Sequence, residues 1–178
     1  MRREKSKNAT PTPIKEKYNF KMLDITYTLK LKSERVKLDE SVALGFGKLR
    51  TNHMFLMDYT DDEWHNPRII PYANVNVPMG SLGLNLGQSI FEGCKAFKHD
   101  DKEVYLFRLD QHTTRFNKSA RMLCMPQILL EDQIQAISSL IDIDREQVPV
   151  KDGSFLYIRP VMFATEDCLC ARDGNSYQ

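Results

Sequence analysis

Two glycines, Gly87 and Gly93, bracket a short run with Ile90 and Phe91 at its centre, within the stretch Leu84 to Phe97. Without a Cβ the backbone turns sharply at either end of such a run, so the chain must bend twice within a few residues. The run is too short for an independent helix. Phe91-Glu92-Gly93, followed by the apolar pair Ala96 and Phe97, reads as one helical turn or tight bend feeding a buried strand.

The flanking segments alternate between strand and helix signals. From Phe20 to Leu31 apolar residues recur at Leu23, Ile25, Tyr27, Leu29 and Leu31, the period of a half-buried strand, and Ser33 to Glu40 is a charged connector. Met54–Asp58 and Arg68–Tyr72 are strand candidates around the acidic turn Thr60-Asp61-Asp62-Glu63, which suggests a hairpin or meander. Adjacent carboxylates on a turn are read as a solvated tip rather than a metal site. Val104 to Arg108 is a further strand, and Asp110 is placed to cap the helix after it.

Phe116, Ala120 and Leu123 give that helix one apolar face, and Pro126 ends it. A second helix is expected from Glu131 to Asp144, with Ile134, Ile137 and Ile141 on one side. Ser154 to Ala164 is strongly apolar and reads as a central strand. Together these predict an α+β domain, a small mixed sheet with two main helices.

Length and charge narrow the function classes. A chain of 178 residues suits one domain, and a net charge of +1 gives no general pull on nucleic acid or membrane. Residues 1–19 form a basic, proline-bearing arm expected to be mobile, ahead of a domain over 20–178. Glu4 and Glu16 weaken a targeting reading of the arm, so a cytoplasmic setting is expected, with a mitochondrial one left open. Cys94, Cys124, Cys168 and Cys170 form no CxxC pair or zinc spacing and fit reduced thiols.

In order along the chain, Phe46-Gly47, Thr51 to Met57, Phe91-Glu92-Gly93, Phe107-Arg108, Thr114-Arg115-Phe116 and Tyr157-Ile158-Arg159-Pro160 resemble the N-terminal half of a branched-chain amino acid aminotransferase. The resemblance implies the D-alanine aminotransferase-like fold, its small N-terminal domain, pyridoxal phosphate (PLP) as cofactor and a homodimer. It implies amino transfer between leucine, isoleucine or valine and 2-oxoglutarate, with no nucleic-acid or membrane partner. Arg115 matches the arginine that touches the cofactor phosphate. Tyr157 and Arg159 match a substrate-positioning pair, Phe46 an aromatic pocket wall, and Leu169 a residue reaching the neighbouring subunit's site. Strand periodicity independently puts Tyr157 and Arg159 on one face.

Two departures accompany the resemblance. Leu86 stands where the family usually has a tyrosine, so a pocket hydroxyl is missing. The family's Schiff-base lysine, its pyridine-facing glutamate and its main phosphate loops belong to a larger second domain, which this sequence does not reach. Lys95 is no substitute, because an amine in an ordinary environment stays protonated. The chain alone is therefore expected to be inactive. A D-amino acid aminotransferase, an aminodeoxychorismate lyase, and a non-catalytic or vestigial partner are the alternatives, and an exposed apolar patch is expected where a second domain would pack.

Overall fold

The computed structural model describes residues 22–39, 41, 44–99 and 103–178. The arm expected over 1–19 lies outside them. The best-formed unit is the hairpin β2 (His53–Thr60) and β3 (Glu63–Pro71), in antiparallel register from Thr60↔Glu63 to His53↔Pro71. Asp61 and Asp62 turn it with φ of 52° and 63°. Two successive positive-φ residues match the right-handed twist of the strands, and aspartate tolerates that conformation better than most. The strand expected over Phe20–Leu31 contracts to β1 (Thr26–Tyr27), parallel to β3. Ile25 is buried there, while Tyr27, Leu29 and Leu31 are exposed, so the alternation has no second layer to pack against.

A short helix α1 (Leu82–Asn85) leads into β4 (Ser89–Phe91) and β5 (Cys94–Lys98). Of the two forms expected at Phe91-Glu92-Gly93, a helical turn or a tight bend, the structure has the bend, a corner between two strands of different sheets that feeds the buried β5. β4 pairs with β8 (Val161–Phe163), whereas β5 lies between β6 (Val104–Leu106) and β7 (Leu156–Ile158). The single central strand expected over 154–164 is likewise split, into β7 and β8 at Arg159-Pro160. Proline brings no N–H to continue a ladder, which favours a break at that point. The two corners lie side by side, joined by Glu92 N–H donating to the Pro160 carbonyl at 3.0 Å.

Helices cover the sheets. α2 (Leu109–Met122) buries Leu109, Thr113, Phe116 and Ala120, while Leu123 caps its C-terminus and is largely exposed. Its N-cap is Arg108 in the left-handed region, with no side-chain cap bond. Asp110, expected as the cap, sits in the first turn, where its charge still complements the helix dipole. The helix ends before Pro126, through Cys124 at φ 53°. α3 (Leu130–Ile143) buries Gln133, Ala136 and Ile141.

Two cores result. Leu82, Ile90, Phe116, Ala120, Met125, Met162, Ala164 and Tyr177 form one, and Ala96, Ile141 and Val148 form the other with Leu156 and Ile158. Each fully buried large side chain contributes roughly 1.5–3 kcal/mol. The paired corners therefore sit between two packed units, held from both sides.

Candidate functional site

The site grows from the corner at Gly93. Glu92 is buried, with 7% of its surface exposed. A carboxylate can stay charged there only if it is partnered, and every partner lies close by. Its Oε2 accepts from Arg115 Nε at 2.5 Å, and its Oε1 accepts from Arg115 Nη2 and from Gly93 N–H at 2.7 Å. His112 Nδ1 lies 3.5 Å from the same oxygen. The Arg115 bonds outweigh the penalty of burial and hold the Glu92 carboxyl down to about 2. Arg115 and His112 are three apart on α2, so both reach over the same turn.

Arg115 itself projects outward, its side chain 64% exposed. Two of its nitrogens are committed to Glu92, and Nη1 has no acceptor among the described residues. The fork expected to grip a dianion thus grips a carboxylate of its own chain. One edge remains to offer an anion, and the ion pair keeps the guanidinium in position.

Across the corner, Tyr157 and Arg159 emerge from the same face of the chain. Arg159 Nη2 donates to Tyr157 Oη at 3.3 Å, and its guanidinium carbon lies 4.6 Å from the centre of the Phe91 ring. Phe46 meets Tyr157 edge to face, 5.0 Å between ring centres. A Cβ at position 93 would fall 1.9 Å from the Tyr157 hydroxyl oxygen, so glycine is required there for the phenol to lie over the corner. Lys95 is turned to the Phe155 ring, 4.0 Å from its centre.

Arg115, Tyr157, Arg159 and Phe46 are therefore linked through the Phe91-Glu92-Gly93 corner. Leu169 stands apart from those contacts, 81% exposed on the loop between Cys168 and Cys170. Leu86 closes α1 and is half-exposed. Sequence reasoning passed over Glu92, Phe91 and His112. A glutamate inside an apolar run was the available signal, since burial of its charge requires a cation nearby. Phe91 in the corner and Phe46 against Tyr157 are each more than half exposed. Cationic donors, a phenol and aromatic walls on one corner suit a small molecule with an anionic head and an apolar body.

No group of three or more metal-ligating side chains occurs among the described residues, and none of their helices is long and apolar enough to cross a membrane. No protein-family model matches the chain. It is 40% identical over 156 residues to a probable branched-chain-amino-acid aminotransferase of Staphylococcus epidermidis, covering 82% of this chain and 43% of that protein. It is 41% identical over 136 residues to branched-chain-amino-acid transaminase 1 of Bacillus subtilis, covering 76% and 38%. The solved branched-chain amino acid aminotransferase of Thermobaculum terrenum in its PLP form superposes with a TM-score of 0.51 at 22% identity, over 71% of this chain and 38% of that one. The chain thus spans about two fifths of the length of the curated relatives it matches.

Proposed function

We propose the following reading for a chain that belongs to the branched-chain amino acid aminotransferase family and matches the N-terminal part of its members. The corner at Gly93 forms the substrate-facing half of an aminotransferase centre, and the remainder of that centre comes from the length of the relatives that this chain does not span. PLP is the cofactor of the complete enzyme, and once bound it supplies the electron sink that lets an amino group pass between leucine, isoleucine or valine and 2-oxoglutarate.

The residues present fit that cofactor in one respect, the open Nη1 edge of Arg115, which suits one phosphate oxygen. Glu92 already offsets much of the guanidinium charge, so the other phosphate donors come from outside this chain. Arg159 offers a planar pair of donors to a substrate carboxylate, and Tyr157 fixes its direction. Phe46 walls the side-chain pocket, where each buried methylene is worth roughly 0.8 kcal/mol. Leu169, exposed on its own loop, is assigned to the pocket of a neighbouring subunit in a homodimer. The setting proposed is cytoplasmic; the relatives described here are bacterial and lend no support to a mitochondrial one.

The observation that carries this reading is the Tyr157–Arg159 pair poised over Gly93 beside Arg115. A chimera joining residues 22–178 to the rest of the Bacillus subtilis transaminase tests it. The expected outcome is amino transfer from leucine, isoleucine and valine in preference to D-alanine. A soluble, PLP-loaded chimera that prefers D-alanine would overturn the reading.

A further inference from the structure

Cys168 and Cys170 flank Leu169 on an exposed loop, and the aminotransferase reading gives these two thiols no role. The two residues are held differently. Cys168 is half-buried against the first core, and its N–H donates to the Gly80 carbonyl at 3.1 Å. Cys170 is exposed, and its N–H donates to Cys168 Sγ at 3.2 Å. The Cys170 thiol and the Arg172 guanidinium are neighbours that also favour charge on that sulfur. Arg172 is anchored by an ion pair with Glu166. One sulfur thus collects several donors and a cation, the environment that favours a thiolate.

We propose that Cys168 and Cys170 form a thiol pair that closes to an intramolecular disulfide by exchange with low-molecular-weight disulfides. The Cys168 thiolate attacks one sulfur of the small disulfide; its S–S bond breaks and one small thiolate leaves. Cys170 then gives its proton to that leaving thiolate and attacks Cys168 Sγ, and the mixed disulfide breaks to release the second small thiolate. The second small thiolate takes up from solvent the proton that Cys168 gave up on becoming a thiolate, so the two cysteines together lose two electrons and two protons and the small disulfide is reduced to two thiols.

The titration behaviour agrees with the geometry. Hydrogen bonds from Cys170 and Arg172 lower Cys168, while the same thiol contact raises Cys170, which makes the first the attacking group and the second the resolving one. The other two cysteines serve as internal references. Cys94 is buried and pushed up to about 11, mainly by burial. Cys124 is exposed on a different loop. Closing the ring would also fix the backbone of Leu169. That consequence alone rests on the pocket role assigned to Leu169, and the thiol chemistry does not depend on it.

The full chain is incubated with oxidised glutathione, quenched by alkylation and mapped by peptide mass spectrometry. Cys168 is expected to react about tenfold faster than Cys124 and to yield a 168–170 peptide lighter by two hydrogens. Cys170→Ser is expected to trap glutathione on Cys168, and Cys168→Ser to leave Cys170 no faster than Cys124. Equal rates at Cys168 and Cys124, or a glutathione adduct that persists on Cys168 in the unaltered chain, would overturn the proposal. Because the readout is thiol mapping, its failure is distinct from failure of the aminotransferase reading.

Discussion

Two polar clusters in this molecule use similar residues to opposite ends. The first is sealed. His53, with its side chain fully buried, holds Asp144 Oδ1 through Nδ1 at 2.7 Å, while its Nε2 accepts the Lys30 N–H at 3.0 Å. Asp144 Oδ2 accepts the His53 N–H at 2.9 Å, and Asn52 beside it is bonded to Gln147 and to both main-chain groups of Val36. The ring and carboxylate atoms of the His53–Asp144 pair all have partners, so the network ties the N-terminal segment, β2 and the end of α3 into one piece. The second cluster, at the Gly93 corner, is open. Only Glu92 is buried there, while Arg115 and Arg159 turn donors outward among exposed aromatic rings. A satisfied network rigidifies a fold; donors left facing solvent on a fixed frame are what a ligand or partner completes.

The contrast breaks most visibly at the sealed cluster. Asp144→Ala strands two buried donors, the His53 ring N–H and the His53 main-chain N–H, and should cost about 3 kcal/mol. A urea-unfolding midpoint that hardly moves would mean that the network is not holding the fold. Acid sharpens the comparison at an intermediate scale. Glu92 falls from the usual 4.5 to about 2 on folding. A depressed carboxyl stabilises the fold above its unfolded value, and that contribution is lost as pH falls from about 4.5 through 2. The exposure of Arg115 to solvent discounts the effect to about 1–2 kcal/mol. Glu92→Gln should therefore flatten the acid limb of the stability profile, and an unchanged limb would disconnect Glu92 from Arg115.

Much of this arrangement was legible in the sequence, and the reasons differ by element. The β2–β3 hairpin could be read because its strands flank a turn of residues that tolerate positive φ. α3 could be read from Ile134, Ile137 and Ile141, although the face that it buries centres on Gln133 and Ala136. Tyr157 and Arg159 share a face by simple period-two geometry. What could not be read is that Ser154–Ala164 serves two sheets. Apolar residues on both sides of Pro160 look continuous whether or not the chain changes partner, and only the adjacent corner at Phe91-Glu92-Gly93 explains the break. The Glu92–Arg115 pair was hidden for a related reason, because sequence separation conceals which helix residue a buried carboxylate will meet.

The smallest expected effect on stability carries the most weight for function. Among the described residues Arg159 is held by one side-chain hydrogen bond and by its contacts with the Phe91 and Tyr157 rings, so Arg159→Lys in the chimera should leave the thermal midpoint nearly unchanged, with the weakened ring contacts costing about 0.5–1 kcal/mol. The decisive measurement is the KM for leucine of that variant. The account predicts a rise of about tenfold or more, because lysine cannot reproduce the planar pair of donors that a carboxylate requires. A KM unchanged at an unchanged midpoint would contradict it, and would leave the Gly93 corner as a packing surface.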